Sequence, residues 1–404
     1  MSSLKYWVWL SSLSGIGAVT ASRLLNHFGT PEAVYNAGAF DYRDVEGLNR
    51  ADVSQLLDKN METANKILAS CHGIGCRVVT LQDAEYPDRL RNIYDPPITL
   101  YVRGSLPVID EEPVVAIVGT RDCTPYGITA ADKMGYNLAR SGLTVVTGLA
   151  RGIDSAATIG ALRSGGVVLA VIGSGLDIVY PPENGELYSS VARSGAIISE
   201  YPPGTSAKPA HFPMRNRILS GLSLGVVVIE APKRSGALIT AMRALEQGRD
   251  VFALPGNVDA RSCEGSNALL REGAIPIINA DDIISEYIEL FPDKIIPEPE
   301  KAPEADPNGF DESVIPGAIN RNDDKKVIDN VSKVDYIDLD KILSQTDGDE
   351  HTVAKAIGRS GFFVDEIINR SGLSAQQVQT ALTMLEIKGL VTRDGSGKWL
   401  IQNS

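Results

Sequence analysis

The apolar positions change period along the chain. From residue 4 to about 70 they fall at helical spacing, with Leu10, Leu13, Val19, Leu24, Leu25 and Phe28 in one stripe and Val53, Leu56, Leu57, Ile67 and Leu68 in another. That spacing predicts a small helical unit over residues 1–75. From Val114 onward, short β-branched runs alternate with helical stretches, the pattern of parallel strands covered on both faces. Seven strands are predicted: Val114–Val118, Thr144–Thr147, Val167–Ile172, Ala196–Ser199, Val226–Glu230, Val251–Leu254 and Ile275–Ile278. Helices fall between them, among them Ile153–Arg163, Arg215–Leu222, Ala237–Gln247 and Ser266–Arg271. One doubly wound sheet accounts for residues 76–290.

This fold class is α/β, Rossmann-like, with a smaller unit at each end. At the C-terminal end, residues 337–404 open with a predicted helix over Asp340–Gln345. They continue through Phe362–Asn369, a turn at Arg370–Ser374, a helix over Ala375–Lys388 and a β-wing ending at Ile401, a winged-helix pattern. Between the two lies a stretch, residues 291–336, that begins FPDKIIPEPEKAPEADPNG and has no apolar period. Such a segment buries too little surface to offset its ordering entropy and reads as a linker. Near the N-terminus, Gly15-Ile16-Gly17 before a helix closed by Phe28-Gly29 resembles a helix-hairpin-helix element, which implies contact with DNA phosphates. A tight turn between packed helices explains the same glycines.

Composition narrows the class. The chain has 404 residues, 43% of them hydrophobic and 22% charged, enough for two or three packed cores and too apolar for a disordered chain. No apolar run reaches membrane-spanning length, and the start MSSLKYWVWLSS is broken by Lys5 with no small-residue cleavage site after it. The expected location is therefore cytoplasmic, with no membrane partner. Cys71, Cys76, Cys123 and Cys263 are too few for a disulfide framework and lack the second pair of a zinc site, so ordinary thiols are expected.

The net charge is −13, but binding is decided by local fields. Between Phe291 and Asp338, twelve acids stand against six bases, whereas residues 205–272 carry nine bases against six acids. Ligands of an open α/β sheet sit at the carboxyl ends of its strands. Strand one ends in Gly119-Thr120-Arg121, strand two in Gly148-Leu149-Ala150-Arg151-Gly152-Ile153-Asp154 and strand three in Gly173-Ser174-Gly175-Leu176-Asp177. Glycine lets a backbone approach a ligand closely, and a following helix start favours an anion. Strand four leads to Lys208, His211, Phe212, Pro213, Arg215, Asn216 and Arg217, and strand five to Lys233-Arg234-Ser235-Gly236. A basic crevice with Phe212 and Tyr201 available for stacking suits single-stranded nucleic acid. For Arg217 the competing expectation is an ion pair with Glu200 or Glu230, since buried charges need partners. The Gly173-x-Gly175 step lacks the third glycine of a dinucleotide site, and no cofactor or metal is expected.

Several long strings stand in order: Val115–Arg121, Gly148–Asp154, Gly175–Asn184, Phe212–Ile218, Ser235–Ala241 and Gly248–Gly256. Together they make the chain, over about residues 81–280, similar to the bacterial DNA-processing protein A family (DprA, also called Smf). The resemblance implies a non-enzymatic protein that binds single-stranded DNA, forms a homodimer through its Rossmann-like domain, and protects incoming DNA and loads the recombinase RecA during natural transformation and homologous recombination. It implies DNA contacts at Gly119, Thr120, Arg121, Lys208, Phe212, Arg215 and Arg217, with Gly148 and Arg151 as neighbours. Asn216, Lys233, Arg234 and Gly236 join the candidate site from their positions at the same edge. Two departures from the family pattern are Thr120 in place of serine and Thr158 in place of histidine.

The rival expectation is a nucleotide-processing enzyme similar to the Rossmann-type phosphoribohydrolases. Their Gly-Gly-x-Gly-Thr loop with its following glutamate is replaced here by Lys233–Ala241, without the glycine run or the acid. Glu200 and Glu230 remain as carboxylates near the edge, and the surrounding arginines are expected to lower their pKa and weaken them as bases.

Overall fold

The computed structural model describes residues 3–296, 346, 348–357, 362–388, 390–393 and 399–401. The chain divides into two units, residues 1–318 and 319–404. The first begins with five helices, α1 (Leu4–Ser12), α2 (Ala18–Phe28), α3 (Pro31–Asn36), α4 (Arg50–Leu56) and α5 (Glu62–Gly73). It continues with β1 (Arg77–Thr80), α6 (Asp88–Arg91), β2 (Thr99–Gly104), β3 (Val114–Val118), α7 (Pro125–Arg140), β4 (Thr144–Thr147), α8 (Ile153–Arg163), β5 (Val168–Ile172), α9 (Gly185–Ser194) and β6 (Ala196–Ser199). The last elements are α10 (His211–Leu222), β7 (Gly225–Val228), α11 (Gly236–Glu246), β8 (Asp250–Ala253), α12 (Glu264–Arg271), β9 (Ile275–Pro276) and α13 (Asp281–Tyr287).

The seven expected strands form the parallel part of a nine-stranded sheet, ordered β1-β2-β6-β5-β4-β3-β7-β8-β9. The sequence reading missed β1 and β2, which pair antiparallel with each other and with β6 at one edge. Only the four-residue α6 stands between them, so they lack the long crossover helices that mark most of the parallel strands.

Alternate residues of each strand feed opposite cores. Val115 and Ile117 of β3 face the side covered by α7, α8 and the N-terminal helices. Val114, Ala116 and Val118 face α10 and α11. Burial on both faces explains why β3 is wholly apolar. The N-terminal helices belong to the first of these cores, with Trp9, Leu24 and Leu56 fully buried in it. Ile16 is buried between Gly15, at φ 83°, and Gly17, so the hairpin makes a packed turn.

The expected linker starts too early. Ile295 is buried, Lys294 pairs with Glu112 at 2.6 Å, and the Ile296 N–H donates to the Ser141 carbonyl. An apolar residue reachable by the core is drawn in whatever the composition around it. The remainder of the expected linker, and the helix expected over Asp340–Gln345, lie outside the described residues.

The second unit holds α14 (Gly348–Ile357), α15 (Val364–Ser371), α16 (Ala375–Ile387) and an antiparallel pair, β10 (Val391–Arg393) with β11 (Trp399–Ile401). Ser374 starts α16 through a capping box with Gln377. Val353, Ile367, Val378, Leu382 and Leu385 make its core, and the unit is a winged helix. The exposed face of α16 carries Gln376, Gln377, Gln379, Thr380 and Thr383, while Lys388 is paired with Glu350.

Candidate nucleic-acid interface

Strand order sets the position of the cleft. The chain runs outward from β3 through β4 and β5 to β6, then crosses back to lay β7 against the other side of β3. The loops after β3 and β7 therefore diverge, and a crevice opens at this topological switch point. A cleft of about 340 Å³ lies there, between the loop after β3, the start of α10 and the loop leading into α11.

The floor is backbone and buried charge. Gly119 sits against α8, where a Cβ would come 2.5 Å from the Ile153 side chain. A Cβ on Gly148 would collide with the Arg215 guanidinium and the Asp154 carboxylate. Only glycine allows the second loop to pass this close. Thr120 is buried, its N–H donating to the Glu230 carbonyl at 2.7 Å, and its hydroxyl accepts from the Asp122 N–H. Ser235 caps α11, whose first residue, Gly236, is exposed at the cleft, so the positive end of that helix faces the space.

The cations divide into three groups. Arg121 lines the cleft, exposed, its guanidinium 4.9 Å over the Phe212 ring; Arg234 lines it too, Lys233 is exposed next to it in the chain, and Lys208 is exposed in the loop before α10 without lining the cleft. Among the described residues none of these four has a carboxylate within ion-pair distance. Arg151 is exposed at the lip but paired with Glu183. Arg215 and Arg217 are buried in the second turn of α10, which starts at His211 and not at Arg215 as the sequence expectation had it. Arg215 lies in the floor, donating to the Val171 carbonyl, with its Nε unpartnered among the described residues. Burial pulls its pKa down to about 10 against the support of Asp154.

Arg217 corrects the sequence reading. It is 2% exposed and held by Asp95 at 3.0 Å and by both oxygens of Glu200 at 2.7 and 2.9 Å. Its charge is spent inside the protein, so it is no ligand contact. Asn216 is buried, reaching the Gly236 carbonyl at 3.3 Å and tying α10 to the start of α11. Tyr201 is also reassigned, since its ring stacks on His211 at 4.1 Å instead of facing the cleft.

Glu200 differs from expectation as well. The Glu200 pKa is raised, because burial outweighs the pull of Arg217. Glu230 accepts from the Thr124 hydroxyl at 2.5 Å and its N–H at 2.9 Å, fixing the start of α7. Asp154, which the sequence reading placed at the end of the second loop but not among the candidate contacts, accepts from the N–H groups of Gly148 at 3.0 Å and Ala150 at 3.4 Å. Burial pushes its carboxyl up to about 6, although Arg215 and those donors pull it down. Its place at the head of a helix after a glycine loop was the available signal. Thr158 is fully buried and bonded to Thr147 and the Asp154 carbonyl, a structural pairing. A second missed residue is Tyr180, whose ring lies 5.5 Å from that of Phe212.

A switch-point crevice with a glycine floor, a helix start and cations that have no carboxylate partner among the described residues places the protein in the Rossmann-like α/β class, and the chain carries a winged helix as well. Residues 77–288 match the family described as DNA recombination-mediator protein A, and residues 340–397 match the DprA winged helix domain. The chain belongs to the DNA recombination-mediator protein A family. It is 32% identical to Protein Smf of Synechocystis, over 96% of both chains. Over 52% of its length it is 43% identical to the DNA processing protein DprA of Streptococcus pneumoniae, covering 73% of that protein. The X-ray structure of the Streptococcus pneumoniae protein superposes with a TM-score of 0.63 at 34% identity, over 70% of this chain and 97% of that one. No helix among the described residues is long and apolar enough to cross a membrane.

Proposed function

We propose that the cleft binds single-stranded DNA without chemical change to it, protects it, and passes it to the recombinase RecA. The protein then works as a homodimer in recombination and natural transformation. The observation that carries this is the pair of exposed cations lining the cleft, Arg121 and Arg234, which have no carboxylate partner among the described residues and stand with the Phe212 ring at the switch point, with the exposed Lys208 and Lys233 in the two loops that lead to it. Cations following a backbone together with ring faces suit an unpaired strand, whose bases are free to stack. The relatives' names, DNA processing protein and recombination mediator, point the same way. The contacts assigned are Arg121, Lys208, Lys233, Arg234, Gly119, Thr120, Gly148 and Gly236, with Phe212 at the edge, Arg151 at the lip and Arg215 beneath.

A binder fits better than a hydrolase because the nearby carboxylates have other work. Glu230 holds Thr124, Glu200 holds Arg217 and Asp154 holds the second loop. Titrating labelled thymidine oligomers against a duplex of equal length should show tighter binding of the single strand, with a log K against log salt slope of about −3 for four phosphate contacts. Binding that ignores salt would refute the cleft assignment. Release of free base from a nucleoside monophosphate would instead support the hydrolase. RecA ATP hydrolysis on DNA coated with single-strand-binding protein should rise when the chain is added, and its failure to rise would remove RecA loading while leaving DNA binding intact.

A further inference from the structure

Beside the main cleft lies a small hollow bounded by Arg121, Gly148, Arg151, Tyr180, Pro181 and Phe212. Two features set it apart from the phosphate-facing space. Arg151 is paired with Glu183, and the Arg121 guanidinium, shared between the two spaces, lies over the Phe212 ring. What the hollow offers a ligand is therefore mainly ring surface.

The geometry of the two rings decides how they are used. Their centroids are 5.5 Å apart and their planes meet at 41°. A base inserted between them needs about 6.8 Å, twice the 3.4 Å stacking rise of a DNA strand, so neither ring can trap a base against the other. One side of Phe212 is already taken by Arg121, and its edge is half-buried. Tyr180, in contrast, is 44% exposed at the end of the loop after β5. The hollow, at about 30 Å³, holds no more than a water-sized group, which leaves the outer face of Tyr180 as the stacking surface.

We infer that Tyr180 is the ring on which a nucleobase of the bound strand stacks, and that Phe212 is its support, holding Tyr180 and Arg121 in place. This rests on the single-strand reading of the cleft and adds a base-contacting residue to it. Stacking on a ring tolerates any base, so the site selects for an unpaired base and not for sequence.

The test compares a thymidine oligomer with an abasic oligomer of the same length, using the full chain. Tyr180→Leu should weaken binding of the thymidine oligomer by roughly 5- to 150-fold, the usual worth of one stacked base. It should leave the abasic oligomer and the salt slope unchanged. Tyr180→Phe should bind as the parent does, and the fluorescence of a Tyr180→Trp variant should be quenched by the thymidine oligomer and not by the abasic one. Parent-like binding by Tyr180→Leu, with Arg121→Ala weakened, would overturn the Tyr180 assignment and spare the cleft. Indifference of both variants and of binding to salt would overturn the cleft reading and this one with it.

Discussion

Replacing Arg121 by alanine separates a ligand contact from a structural charge. The side chain is exposed, has no carboxylate within ion-pair distance among the described residues, and sits over Phe212. If it neutralises one phosphate, its loss removes about 0.7 from the salt slope, taking it from about −3 to about −2. Near physiological salt the same term corresponds to about a fourfold loss of affinity, or about 0.8 kcal/mol. The lost contact with Phe212 costs the fold about 0.5–1 kcal/mol, as an exposed cation–π pair does, so the variant should stay folded. Fluorescence anisotropy with a labelled thymidine oligomer from roughly 50 to 200 mM salt reads both quantities. An unchanged slope in a folded Arg121→Ala protein would refute the reasoning, because an unpaired cation at the cleft would then contribute nothing to binding.

Arg217→Met should behave oppositely, lowering stability by about 3–5 kcal/mol in urea unfolding because Asp95 and Glu200 are left without their partner. Its salt slope, measured on the folded fraction, should match the parent's. Asp154 titrates at about 6 in the fold against an ordinary 3.8; the folded state holds its proton more tightly, so this group's contribution is present below about pH 4 and lost as pH rises to about 6. Asp154's share of that loss is roughly 3 kcal/mol, so Asp154→Asn, measured by urea unfolding at each pH, should lose less than the parent over the window. Gly236→Ala places a methyl where no protein atom lies within 4 Å. Melting should therefore hold or rise slightly, while oligomer affinity falls because the methyl occupies the approach to the α11 start.

The parallel strands could be read from the sequence because burial on both faces writes itself locally, as runs such as Val114–Val118 with glycine at the carboxyl end. The same local rule located the cleft, since strand ends and helix starts are neighbours in the chain. It failed where pairing is made across distance. Arg215 and Arg217 stand two residues apart in one motif, yet one forms the cleft floor and the other is consumed by Asp95 and Glu200. The raised pKa of Glu200 shows the same limit, because proximity to an arginine predicts a lowered value and only the depth of burial reverses it. Tyr180 joins Phe212 only when the loop after β5 and the start of α10 are brought together. Sequence alone determined the α/β architecture, the basic edge and the family. Which charges meet a ligand and which are spent within the fold was decided by tertiary structure, because desolvation and ion pairing depend on distances in space that no local pattern of residues records.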